Sequence, residues 1–226
     1  MIINAIIQCR MTSKRFPGKV LAPFLGKPLL DHIIEKVNKF SFCSSIILAT
    51  SGDKADDPLS SYAKDLGLKI VRGSREDVVD RYASAVDCYS CDAFFRICGD
   101  SPLLLPYLFD YAASIFQNKS YDIVTNVFPR TFPVGMSVEL IRTETFLKTK
   151  KDIKNQDDKE HLSRYFYRNV KNFKIHNIEC DLPVDQNLKL AVDENSDLKK
   201  IESWLLTKND KFENLFPIKL VNNIQS

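Results

Sequence analysis

Short β-branched apolar runs alternate with amphipathic helical stretches through the first hundred residues, and that rhythm limits the fold more than any other feature. Ile2-Ile3-Asn4-Ala5-Ile6-Ile7 reads as a buried strand. Residues 27–40 read as a helix, with Pro28 in its first turn and Leu29, Leu30, Ile33, Ile34 and Val37 on one face. Strands follow at 45–50, 68–71 and 93–97, separated by helices at 56–66 and 75–90, the latter with Val78, Val79, Tyr82, Ala83 and Val86 inward. Such a pattern predicts βαβ units, hence an α/β fold on a mostly parallel sheet. Later strands are expected at 122–127, 136–141 and 188–192, and later helices at 159–171 and 196–206.

The first strand runs straight into Gln8-Cys9-Arg10-Met11-Thr12-Ser13-Lys14-Arg15-Phe16-Pro17-Gly18-Lys19. Arg10, Lys14, Arg15 and Lys19 repel one another, and no acidic residue stands among them. An open α/β sheet binds its ligands at the carboxyl ends of strands. A polyphosphate is the simplest occupant of such a loop, because arginine offers a planar fork to phosphate oxygens and lysine a point charge. A solvated basic turn is the plainer alternative. Neither GxxxxGK[ST] nor GxGxxG occurs, so the loop is not a P-loop or a dinucleotide fingerprint.

With 226 residues the chain reads as one domain, large enough to bury a core without disulfides or a structural metal. A net charge of only +3 gives no bulk electrostatic argument for nucleic acid; the positive charge that matters is local. No stretch has a secretory signal's layout or the length to span a bilayer, so a cytoplasmic protein is expected. Six cysteines are scattered, and most should be reduced and buried. Cys88-Tyr89-Ser90-Cys91 has CxxC spacing, but it closes a helical pattern and lacks the second pair that zinc would want.

The loop from Gln8 to Lys19 resembles the opening motif of the nucleotide-sugar cytidylyltransferases, most nearly the branch called spore-coat polysaccharide biosynthesis SpsF proteins. It is also similar to the sialic-acid and keto-deoxyoctulosonate cytidylyltransferases. Further segments match in order: Ala49-Thr50-Ser51, Arg72-Gly73-Ser74, Asp77-Val78, Asp80-Arg81-Tyr82, Arg96-Ile97, Gly99-Asp100-Ser101-Pro102-Leu103, Arg130-Thr131-Phe132-Pro133, Ser137-Val138-Glu139, Glu160-His161 and Val192-Asp193-Glu194. The likeness covers roughly residues 1–205. Cys9 stands where the family usually has alanine, and Phe16 where leucine is common; both are small or apolar enough to keep the loop.

The resemblance implies a three-layer, Rossmann-like, mostly parallel sheet of the nucleotide-diphospho-sugar transferase type. It implies transfer of CMP from CTP to a sugar or sugar-acid acceptor, with release of pyrophosphate, in surface polysaccharide or glycoconjugate synthesis. Arg10, Arg15 and Lys19 would be the catalytic cations, and Gln8, Ser13, Thr50, Arg72, Gly73 and Asp100 would join them in binding the nucleotide. Asp100 and Asp193 would share Mg2+; each also precedes a helix and could simply cap it. Arg72 and Gly73 could equally form a plain turn. Gly135, Glu139 and His161 would lie on the acceptor side, where 131–139 could otherwise be a turn into an edge strand. Residues 128–170 would form an acceptor-side and dimerisation insertion, the chain being a homodimer without nucleic acid or membrane partners.

Two rivals differ in class. A glycosyltransferase with a nucleotide-sugar donor often holds its metal with Asp-x-Asp, and no aspartate here has another two residues on. A non-catalytic nucleotide-binding protein should have lost part of the cationic set or a carboxylate, whereas all are present.

Overall fold

The computed structural model describes residues 1–181, 185, 187–207 and 215–218. The alternating first half forms as its pattern dictates. Strands β1 (Ile3–Gln8), β4 (Ser45–Ser51), β5 (Lys69–Gly73) and β6 (Ala93–Cys98) are joined through helices α1 (Leu29–Val37), α2 (Asp57–Asp65) and α3 (Val78–Cys88). A two-residue-per-strand hairpin, β2 (Pro23–Phe24) with β3 (Lys27–Pro28), precedes α1, so Pro28 caps that helix instead of entering its first turn. The second half supplies α4 (Pro106–Asn118), β7 (Ile123–Thr125), β8 (Glu139–Arg142), α5 (Thr143–Lys150), α6 (Gln156–Glu160), α7 (Arg164–Arg168), β9 (Ile175–Asn177) and α8 (Asn195–Leu206).

Seven strands make one sheet in the order β5-β4-β1-β6-β8-β7-β9. Only β8 runs against the rest, pairing antiparallel with β6 on one side and β7 on the other. Strand residues alternate between faces. Ile3, Ala5 and Ile7 of β1 pack beneath α1, α2, α4 and α8, while Ile6 faces the opposite layer of α3, α5 and α7. The result is a three-layer α/β sheet. From β1 the chain builds outward through β4 to β5, then returns to place β6 on the other side of β1. The carboxyl ends of β1 and β6 therefore flank the crevice where strand order reverses, which is where open α/β sheets take ligands.

Two expectations need correction, and some elements were not expected. The helix expected at 159–171 is broken: Asn155 caps α6 through Asp158 N–H, His161 leaves helical geometry at φ −118°, ψ 74°, and only five residues of α7 follow. The run 188–192 is no strand. Val134 and Lys189 form a lone bridge, and the backbone N–H of Val192 donates to the Asp100 carbonyl at 2.8 Å. Its apolar residues Leu190, Ala191 and Val192 are buried, Leu190 and Val192 within the main core cluster, without ladder pairing to the sheet. Finally, α5, β9 and the small hairpin carry too little periodicity to be foreseen. Segment 128–170 contributes β8 to the middle of the sheet together with α5, α6 and α7. Among the described residues no helix is long and apolar enough to cross a membrane.

Candidate active site

A cleft of about 340 Å³ opens at the strand-order switch. It is lined by the end of β1 and the loop after it (Gln8, Cys9, Arg10, Ser13, Lys14, Arg15, Lys19), and by Cys98, Gly99 and Asp100 after β6. Val78 and Arg81 of α3, Glu160 and Asp193 complete the wall. The backbone N–H of Gly99 donates to the Gln8 carbonyl at 2.9 Å, which draws the two loops together beyond the last rung of the sheet.

Lys19 is the meeting point. Its ammonium donates to the Val192 carbonyl at 2.7 Å and lies 3.5 Å from Asp100 Oδ2 and 3.6 Å from Asp193 Oδ1. Arg15 reaches the same Asp193 oxygen at 2.9 Å, and Lys189 takes the other at 2.9 Å. Burial alone would raise the Asp193 pKa. The Lys189 hydrogen bond and the charges of Lys19 and Arg15 outweigh it, so the carboxyl is held below its ordinary range. Two carboxylates 93 residues apart in sequence thus face one cation. Hard oxygen donors of this kind suit Mg2+, which takes one or two carboxylates and completes its shell with phosphate oxygens and water.

Arg10 is less committed. It donates to the Arg75 carbonyl at 3.2 Å and lies 3.8 Å from Glu160, which is half exposed. Lys14 forms no ion pair among the described residues and is exposed. Cationic reach is therefore available in the cleft. Burial drives the Cys9 thiol far up and pushes Cys98 up to about 11, so both stay protonated near neutrality and neither is a nucleophile.

Other residues singled out in the sequence are placed outside the cleft lining. Thr50 is fully buried, its hydroxyl donating to Asp56 at 3.0 Å. Arg72 is bound to the Ser51 carbonyl, the Asp53 carbonyl and Asp57. Gly73 serves packing, since a Cβ there would come 2.9 Å from Arg81 Cγ. Gly135 adopts φ 104°, and a Cβ would sit 2.4 Å from the Leu190 carbonyl carbon; glycine lets 131–139 cross over 189–191. Glu139 is buried and paired with Arg96 at 2.6 Å, with the Tyr167 hydroxyl donating to it at 2.7 Å. His161 is exposed just after α6, next to Glu160 of the cleft wall; partial desolvation of its ring and the charge of Arg164 lower its pKa.

The match to the cytidylyltransferase family model runs over residues 4–221. This chain belongs to the cytidylyltransferase family. An uncharacterized protein of Methanocaldococcus jannaschii is 31% identical over 88% of the chain and 81% of its own length. The spore coat polysaccharide biosynthesis protein SpsF of Bacillus subtilis is 27% identical over 88% of this chain and 84% of its own. Among solved structures, a cytidylyltransferase from Leptospira borgpetersenii superposes with a TM-score of 0.86 at 27% identity, covering 93% of this chain and 89% of that one.

Sequence reasoning missed two parts of this cytidylyltransferase's cleft. Arg81 is 2% exposed, lines the cleft and has no carboxylate at ion-pair distance among the described residues; its Nε is buried without a partner. Burial above all, with the Arg10 charge, holds its pKa below the usual arginine value. An arginine three residues after Val78, on the inward stripe of α3, was the available signal. The resemblance gives Glu160 only as part of a Glu160-His161 pair bordering the acceptor pocket, whereas it stands in the cleft wall beside Arg10.

Proposed function

We propose that the chain transfers CMP from CTP to a sugar or sugar-acid acceptor, releasing pyrophosphate. The observation that carries this reading is the convergence of the cationic loop with Asp100 and Asp193 on one cleft, at the strand-order switch of a cytidylyltransferase fold. The triphosphate lies along Arg10, Ser13, Lys14 and Arg15. Arg81, buried at the cleft wall with no ion-pair partner among the described residues, meets the nucleotide's negative charge from the α3 side. Nucleotidyl transfer asks little covalent work of a protein; positioning and charge neutralisation dominate.

An acceptor oxygen attacks the α-phosphorus in line with the departing pyrophosphate. Lys19 and Arg15 offset the charge that grows on the α-phosphate and on the leaving group. Arg10 exchanges its long contact with Glu160 for the β and γ oxygens. Asp100 and Asp193 are the residues that would hold Mg2+, and the ion supplies charge neutralisation and a lowered acceptor pKa when bound. Glu139 fixes Arg96, and His161, next to Glu160 of the cleft wall, borders the space left for the acceptor. SpsF carries spore coat polysaccharide biosynthesis in its name, which supports a role in surface polysaccharide or glycoconjugate synthesis. A cytoplasmic homodimer completes the proposal, its assembly open to light scattering.

Pyrophosphate release is the test. The chain is incubated with CTP, Mg2+ and a panel of sugar acids, keto sugars and sugar phosphates, with UTP, ATP and GTP in parallel. Release that requires CTP and one acceptor class is expected. CTP binding without turnover on any acceptor would favour the non-catalytic rival, and turnover of a nucleotide-sugar donor would favour a glycosyltransferase.

A further inference from the structure

Asp56 lies at the start of α2, outside the cleft, and is fully buried. Its Oδ1 accepts the backbone N–H of Met11 at 2.6 Å. Its Oδ2 accepts the Thr50 hydroxyl and the Ser51 N–H, each at 3.0 Å, and the Ser51 hydroxyl as well. A buried carboxylate with four donors is fully engaged. Burial alone would raise its pKa, but the Ser51 and Met11 hydrogen bonds overcome that, so it stays ionised at neutral pH.

Met11 is the neck of the cationic loop. Its N–H goes to Asp56, and its carbonyl accepts the N–H of Gly18 at 2.8 Å. The same residue therefore ties the loop's entrance to the sheet and closes the loop on itself. Arg10 precedes Met11, Ser13 and Arg15 lie within the closed segment, and Lys19 follows Gly18. Thr50 and Ser51, at the end of β4, orient the carboxylate that does the fastening.

From this geometry we infer that Asp56 is a positioning residue for the nucleotidyl transfer proposed above: it fastens Met11 and thereby sets where Arg10, Arg15 and Lys19 stand. It touches neither substrate nor reacting atoms. Removing it leaves the cations present but unplaced, so nucleotide affinity and turnover fall together although every cleft residue is intact.

The test compares Asp56→Asn, Asp56→Ala and Ser51→Ala. Amide hydrogen exchange at Met11 and Gly18 reports the fastening. Titration with CTP and with inorganic tripolyphosphate reports the cationic loop. Asp56→Ala should lose protection at Met11 and Gly18 and bind tripolyphosphate and CTP about tenfold more weakly, the consequence of one lost buried charge-assisted bond; the single amide oxygen of Asp56→Asn cannot serve both the Met11 and the Ser51 N–H, so there affinity should fall in step with whatever protection Met11 loses. Ser51→Ala removes one hydrogen bond, on the other oxygen, and leaves the Thr50 hydroxyl and the Ser51 N–H to orient the carboxylate, so it should keep Met11 protection and wild-type affinity even if it melts earlier. If Asp56→Ala does not fold, Asp56→Asn, which keeps the side chain's volume, carries both readouts. Wild-type protection at Met11 in folded Asp56→Ala overturns the inference, and so does weakened CTP binding in Asp56→Asn with Met11 protection intact. So does lost protection with unchanged affinity, or an affinity loss in Ser51→Ala equal to that of Asp56→Asn. A wild-type chain that binds neither ligand refutes the functional reading instead, and the exchange data then still decide whether this carboxylate fastens the loop.

Discussion

Two sets of charges stand at the carboxyl end of this sheet and are treated in opposite ways. After β1, Arg10, Lys14 and Arg15 reach into an open cleft, and Arg15 keeps more than half of its side-chain surface exposed. One strand over, Arg96 of β6 and Glu139 of β8 form an ion pair with Glu139 side-chain exposure of only 3%, closed further by Tyr167. Thr125 continues this knot, its hydroxyl 3.1 Å from that of Tyr167. Exposed pairs such as Arg10–Glu160 are cheap to break, each worth about 0–1 kcal/mol. A buried pair cannot lose one partner without stranding the other. The wet set is arranged to be traded for a ligand, and the dry set to hold the sheet beneath it.

The sharpest break of this comparison is Glu139→Ala. It leaves the Arg96 guanidinium buried and unpaired, and its Nε already lacks a partner. A stability loss of about 3–5 kcal/mol is expected in denaturant unfolding. If unfolding free energy is unchanged, the knot is not the structural element described.

Next in size is Lys19→Ala. The ammonium faces two carboxylates in a partly hydrated cleft, so the fold should survive its loss. Turnover should fall on the order of 10²–10³, as when a single charge-stabilising donor is removed from a reaction centre. Steady-state pyrophosphate release with matched thermal melts separates the two effects. Near-normal kcat would remove Lys19 from the chemistry.

Much of this contrast was legible in the sequence, but only its wet half. The cationic loop announces itself because four like charges in ten residues have no local partner. The parallel half of the sheet is equally plain, since each strand is a short β-branched or aromatic run followed by a helical stripe. Partnerships across the fold are invisible to such patterns. Arg96 and Glu139 meet only because β8 inserts antiparallel beside β6, a register no local periodicity encodes. Thr50 sits at a strand end like a ligand-binding hydroxyl, yet Asp56 six residues on captures it. The run Leu188–Val192 carries apolar residues because Leu190 and Val192 join the main core, which imitates a strand without making one.

Acid should reveal the dry set a second time. Burial raises the Glu139 pKa, but Arg96, with hydrogen bonds from Ser163 and Tyr167, more than reverses that and holds it below the ordinary glutamate value. A carboxyl whose pKa is lowered by folding stabilises the fold above its unfolded pKa, and that contribution fades as pH falls through the folded value. Unfolding free energy should thus decline below about pH 4.3, the unperturbed glutamate value. Glu139→Gln should show a shallower decline over that window. Equal slopes in the two proteins would mean that Glu139 does not change its proton count on unfolding.

The smallest effect belongs to Glu160→Gln, and it probes the wet set directly. Glu160 stands 3.8 Å from Arg10, about half exposed, and is the acidic residue that α6 brings to the cleft wall. A triphosphate arriving at Arg10 must displace this contact and approach a carboxylate of its own sign. Neutralising Glu160 removes both costs, so CTP affinity should rise by about two- to fivefold, the scale of a single exposed pair. Added salt should shrink the gain, because exposed charges are screened within about 8–10 Å at physiological ionic strength. Calorimetric titration of both proteins at low and high salt measures it. A fall in affinity would give Glu160 the opposite role, that of a group the nucleotide uses, and Arg10 would no longer be a cation held in reserve.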